Sequence, residues 1–170
     1  MNIFLPYEKD IVEDVKALDD VRLNKQISEC KTMLKAILTH MESGEKLGYF
    51  YHPVTQFYYN NPYFIAVYGL FCCSEYYYRN EKRHECRCYF EEYLNNNSGV
   101  KIWDFVPYYM EGAITDPNHI RTTENVGELF IIKMCKKWVA DTKKNRTPKW
   151  TKRNVPEFYK RYLEENNYAI

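Results

Sequence analysis

The sequence predicts an all-α fold, a single compact irregular helical domain, and three observations carry that expectation. Apolar residues recur at helical spacing, first at Val15, Leu18, Leu23, Ile27, Leu34, Ile37, Leu38 and Met41, with no Gly or Pro between them. Helix punctuation stands between such stretches, as Ser43-Gly44, Asn61-Pro62 and Asn95-Asn-Asn-Ser-Gly99. No two alternating runs joined by a turn signal read as strands. The length of 170 residues suits one domain, and 45% hydrophobic residues supply a core.

Taken in order, residues 12–41 read as one long helix, broken by Ser43-Gly44 and Gly48. The aromatic and polar stretch from Gly48 to Asn60 reads as a loop. Asn61-Pro62 starts the next helix, with Asn as N-cap and Pro at the first helical position, and Phe64, Ile65, Val67, Tyr68 and Phe71 carry it to about residue 79. A third helix covers roughly 82–94. After a loop from Trp103 to Pro117, residues 124–141 are helical through Val126, Leu129, Phe130, Ile132, Met134 and Trp138. A last short helix follows Pro156. No internal repeat or low-complexity linker divides the chain.

Composition excludes several classes. No run approaches the ~18 uninterrupted apolar residues of a membrane span, and the first ten residues lack the basic start and apolar core of a signal peptide. A cytosolic monomer is expected. The 17 Tyr are unusual. Tyr suits a half-buried surface or a stacking platform, although a lineage rich in Tyr, Asn and Lys accounts for them equally. Six cysteines stand at 30, 72, 73, 86, 88 and 135. Only Cys72, Cys73, His84, Cys86 and Cys88 cluster. They contain no C-x2-C pair, so reduced thiols are expected rather than a structural zinc.

Charge is unevenly placed. The net charge is +1, yet residues 133–161 hold eleven Lys or Arg against Asp141 and Glu157 alone. The segment also holds Trp138, Trp150, Phe158 and Tyr159. Cations interleaved with aromatics suit a phosphate backbone and exposed bases, and this favours nucleic acid over a merely solvating tail. In the first helix, Asp19, Arg22, Gln26 and Glu29 follow at spacings of three, four and three, so they share one face, with Lys25 and Thr32 beside them. The row is either a solvent face with weak ion pairs or a reactive stripe. A carboxylate beside a cation suits stabilisation of positive charge developing at a sugar carbon.

These residues resemble a known family. Asn2-Ile-Phe-Leu-Pro-Tyr-Glu8 together with Leu18-Asp-Asp-Val-Arg-Leu-Asn-Lys-Gln-Ile-Ser-Glu29 is similar to the N-terminal signature of the pyrimidine-dimer DNA glycosylases. These are the phage endonuclease V enzymes and their bacterial relatives. The bacterial pattern Leu-Asp-Asp-Lys-Arg-Leu-x-Lys-Gln-x-x-Glu is met at nearly every position. His52-Pro-Val-Thr-Gln-Phe-Tyr58 resembles the family's His-Pro loop, and Ala66-Val-Tyr-Gly69 its Ala-x-Tyr-Gly. The likeness is good over roughly residues 1–80. Beyond that, only the basic, aromatic character and Pro148-Lys-Trp150 are shared.

The resemblance implies an all-α fold, no metal or organic cofactor, and double-stranded DNA with a damaged or modified base as partner. It implies attack by the chain's own α-amine on C1′ of a flipped nucleotide. Glu29 aligns with the catalytic glutamate. Arg22 stands where phage members carry a histidine, and whether it serves phosphate binding instead stays open. Phage members expose a Thr amine after losing the initiator Met. Here Asn2 opposes Met removal, and the register through Ile3 and Leu5 aligns Met1 with that Thr, so Met1 is the expected nucleophile. The DNA-binding candidates are Arg22, Lys25, Gln26, His52, Lys149, Trp150, Lys152 and Arg153. His52 either touches DNA or caps the next helix. The alternatives are a related enzyme for another base, a catalytically silent DNA-binding relative with a regulatory or counter-defence role, and a helical interaction domain with an acidic partner.

Overall fold

The computed structural model describes residues 3–7, 10–98 and 126–168. Among them the chain forms seven helices and no strand. These are α1 (Ile11–Ala17), α2 (Asp20–Ser43), α3 (Pro53–Phe57), α4 (Pro62–Asn80), α5 (Arg87–Asn96), α6 (Val126–Thr142) and α7 (Glu157–Glu165). The all-α expectation is met. The expected loop from Trp103 to Pro117, and Met1, lie outside the described residues.

The long helix expected over 12–41 is in fact two. Leu18 and Asp19 are extended (ψ 136° and 163°), and α2 starts afresh at Asp20. A helix end leaves carbonyls without partners, and here distant side chains satisfy them. Arg79 Nη2 donates to the Lys16 carbonyl (3.0 Å), Trp150 Nε1 to that of Ala17 (2.9 Å), and Arg79 Nη1 to that of Leu18 (2.8 Å). The N–H of Asp20 bonds the Lys149 carbonyl at 2.8 Å, while its carboxylate accepts from Arg79 and Thr151. The elbow is thus built by α4 and by the segment at 149–151.

Leu23, Ile27, Met33, Leu34 and Ile37 of α2 are fully buried against α4. Each contributes about 1.5–3 kcal/mol on burial. That outweighs the few tenths separating their helix propensities, so packing sets the orientation of α2. Gly44 closes it in the left-handed region (φ 73°), its N–H on the His40 carbonyl. The Asn61 side chain accepts from the Phe64 N–H with Pro62 behind it, as the sequence predicts for the start of α4. A Cβ at Gly69 would lie 2.5 Å from Cζ of the buried Phe90, so glycine admits α5 against α4. Glu81 ends α4 in the left-handed region, and the turn at 82–86 delays α5 to Arg87, later than the expected residue 82.

The short α3 lies in the expected loop, capped by His52, whose Nδ1 accepts from the Val54 N–H at 3.2 Å. In α6, Phe130, Met134 and Trp138 enter the core, and Trp138 meets Trp150 and Tyr159 with ring centroids 5.0 and 4.8 Å away. No helix among the described residues is long and apolar enough to cross a membrane.

Candidate active site

The row on α2 does not face solvent as a unit. Asp19, only 1% exposed, accepts from Arg22 and from Trp138 Nε1 (2.9 Å). Arg22, 13% exposed, also reaches Asp141 of α6 at 2.6 Å, so its charge is balanced by two carboxylates. Gln26 is buried beside the Cys30 thiol, which corrects its expected place on a DNA-binding surface. Glu29 is the member of the row that opens outward, 18% exposed, with Lys25 Nζ at 3.6 Å.

Three further elements close on Glu29. The chain's start is pinned: Ile3, Phe4 and Leu5 are buried, Tyr68 donates to the Phe4 carbonyl (2.8 Å), and the Phe4 ring meets Phe130 edge-on. His52 feels the Glu29 carboxylate, but burial is the stronger influence and lowers its pKa. With Nδ1 accepting from Val54, the neutral ring carries its proton on Nε2. The third element is α6. Lys137 places Nζ 5.0 Å from the centroid of the Phe4 ring. Desolvation lowers its pKa, and the neighbouring Arg22, Lys25 and Lys133 push the same way while Glu29 opposes them. Lys137 is a site residue that sequence reasoning missed; only its place in the basic segment signalled it.

Such a grouping sets a partly exposed carboxylate among cations beside the anchored chain start. It can hold anionic groups and stabilise a cation forming at Glu29. The following turns of α2 also line a groove of about 340 Å³, with Ser28, Lys31, Thr32 and Lys35 on one side and Tyr49 and Glu85 also on its wall. The profile of a family described as pyrimidine dimer DNA glycosylase matches residues 1–89. The chain belongs to this family. No match was found among curated proteins or solved structures.

The glycosylase-family match takes in α1 to α4, Glu29 and His52, and leaves Lys137 and the basic segment outside it. In that segment the structure corrects the expectation for Trp150. Trp150 is 8% exposed, with its N–H spent on Ala17, so its ring is core rather than stacking platform. Tyr159 and Trp138 are buried beside it. Arg153 pairs with Glu75 through two 2.8 Å bonds and covers the Tyr78 ring, and Lys152 pairs with Glu81. Lys149 is exposed, as are Lys143, Lys144 and Arg146. The expected set therefore divides: Lys25, Glu29 and His52 gather at one site, Lys149 and Trp150 hold the elbow, and Lys152 and Arg153 pair with Glu81 and Glu75.

The cysteine cluster holds free thiols. Cys72, Cys73 and Cys86 are buried free thiols and Cys88 is exposed. Among the described residues, no group of three or more His, Cys, Asp or Glu is placed to hold a metal ion. Burial pushes the thiols of Cys73 and Cys135 up to about 12, which leaves them protonated and unreactive at neutral pH.

Proposed function

We propose that the chain is a DNA glycosylase with abasic-site lyase activity, removing pyrimidine dimers or another damaged or modified base from double-stranded DNA. The observation that supports this reading is Glu29, a partly open carboxylate beside Lys25 in a chain of the glycosylase family. The nucleophile in this reading is the Met1 α-amine. From the anchored Phe4, three residues of chain reach at most about 11 Å. An α-amine titrates near 8, against about 10.4 for lysine, so about a tenth is neutral at pH 7.

The amine nitrogen bonds to C1′ as the glycosidic bond breaks and the base departs with its electron pair. The amine's proton then passes to O4′ as the C1′–O4′ bond breaks and the nitrogen lone pair forms the iminium, and Glu29 stabilises the positive charge at each stage. Removal of a C2′ proton then expels the 3′ phosphate and cuts the strand. The neutral His52 offers Nε2–H as a donor near the same carboxylate, and Lys25 and the exposed Lys149 supply phosphate contacts.

The test is borohydride trapping on duplex DNA containing one abasic site, with an untagged N-terminus. A covalent adduct that maps to Met1, followed by base release from UV-irradiated DNA, is the expected result. Tight DNA binding without any adduct would make the protein a binding relative on the same scaffold.

A further inference from the structure

Among the described residues, two lysine amines belong to the Glu29 side of this molecule, Lys25 and Lys137. We propose that Lys137 Nζ is a second Schiff-base amine, able to capture the aldehyde of an abasic site when the α-amine is blocked. The proposal rests on the reading above, in which Glu29 stands at the reacting sugar carbon.

Geometry singles out Lys137 among the lysines. Its Nζ lies over the ring of Phe4, a residue fixed by Tyr68 and Phe130 and three positions from the chain's first residue. Lys25, the other lysine beside Glu29, faces its carboxylate within ion-pair distance, whereas among the described residues Lys137 makes no ion pair. Its side chain is exposed to an incoming substrate, while its ammonium is crowded by protein and by Arg22, Lys25 and Lys133. That environment favours the neutral, nucleophilic form. The residue is also held by α6, since Trp138, next in sequence, is fully buried and bonded to Asp19.

The step balances without a further reagent. Nζ adds to the C1′ aldehyde of the ring-opened abasic sugar, and water leaves with the aldehyde oxygen. The resulting protonated imine loses a C2′ proton and expels the 3′ phosphate with its electron pair. Borohydride, when added, delivers hydride to the imine carbon and fixes the adduct as a secondary amine.

The experiment compares native protein with protein acetylated at its α-amine, both trapped with borohydride on the same abasic duplex. The acetylated protein is expected to trap more slowly, by at most about 250-fold at pH 7, the ratio of neutral fractions for amines titrating near 8 and 10.4. Peptide mass analysis is expected to place that adduct on Lys137. Lys137→Arg keeps the charge and removes the imine-forming amine. In the acetylated background it is expected to abolish the adduct while leaving the melting curve unchanged. No adduct in the acetylated protein, an adduct on another lysine, or one that survives Lys137→Arg overturns the proposal. The native arm separates the two readings: if native protein traps at Met1 while the acetylated form is silent, only Lys137 loses its role.

Discussion

Replacing Glu29 by Gln preserves the side chain's shape and removes the charge that faces Lys25. Strand cleavage at an abasic site is expected to fall by about 10²–10³-fold, while gel-shift affinity for the same duplex is retained. Equal loss of both would remove Glu29 from the chemistry. The contrast with Asp19 explains why the single residue matters. Both carboxylates lie on the same face by spacing, but Asp19 is sealed by Arg22 and the Trp138 indole, and Glu29 opens outward. Spacing was legible in the sequence; which carboxylate reaches solvent was not, because α6 decides it from more than a hundred residues away.

At the scale of elements, the joint between α1 and α2 is held by groups that a basic, aromatic tail seemed to reserve for DNA. Trp150→Phe removes the donor to the Ala17 carbonyl and keeps most of the ring packing. Leaving that buried carbonyl unsatisfied costs about 1–3 kcal/mol, measurable by urea denaturation, with DNA affinity unchanged. A ring that stacked on bases would lose affinity instead. Elements with local causes were readable: Asn61-Pro62 starts α4 where its cap and fixed φ dictate, and Ser43-Gly44 ends α2. The Leu18–Asp19 break was not, since no glycine or proline marks it and its partners are Arg79, Lys149 and Trp150. Likewise, aromatic residues among lysines describe a nucleic-acid surface and a packed cluster equally well until the folded chain separates them.

For the whole molecule, several titrations act in one direction. Burial lowers the pKa of His52 and His84, and Glu75 and Asp20 are lowered because hydrogen bonds from Arg153, Arg79 and Thr151 outweigh their burial. Each group binds fewer protons folded than unfolded, so its contribution is present above the unfolded value and lost as pH falls through the folded one. Melting temperature is therefore expected to drop in two stages, first below the ordinary histidine value of 6.5, then below the carboxylate values of 4.5 and 3.8. A profile flat from pH 7 to 4 would contradict this. The elbow also bears on synthesis of the chain. Its bonds join residues 59 to 133 positions apart, although the family match ends at residue 89. A ribosome adding ~5–20 residues per second needs about 3–12 s to pass from there to Trp150. During that interval the nascent chain carries the Glu75 carboxylate without Arg153 and the end of α1 without Trp150. The N-terminal half is therefore exposed to proteases and chaperones before its last partners are made.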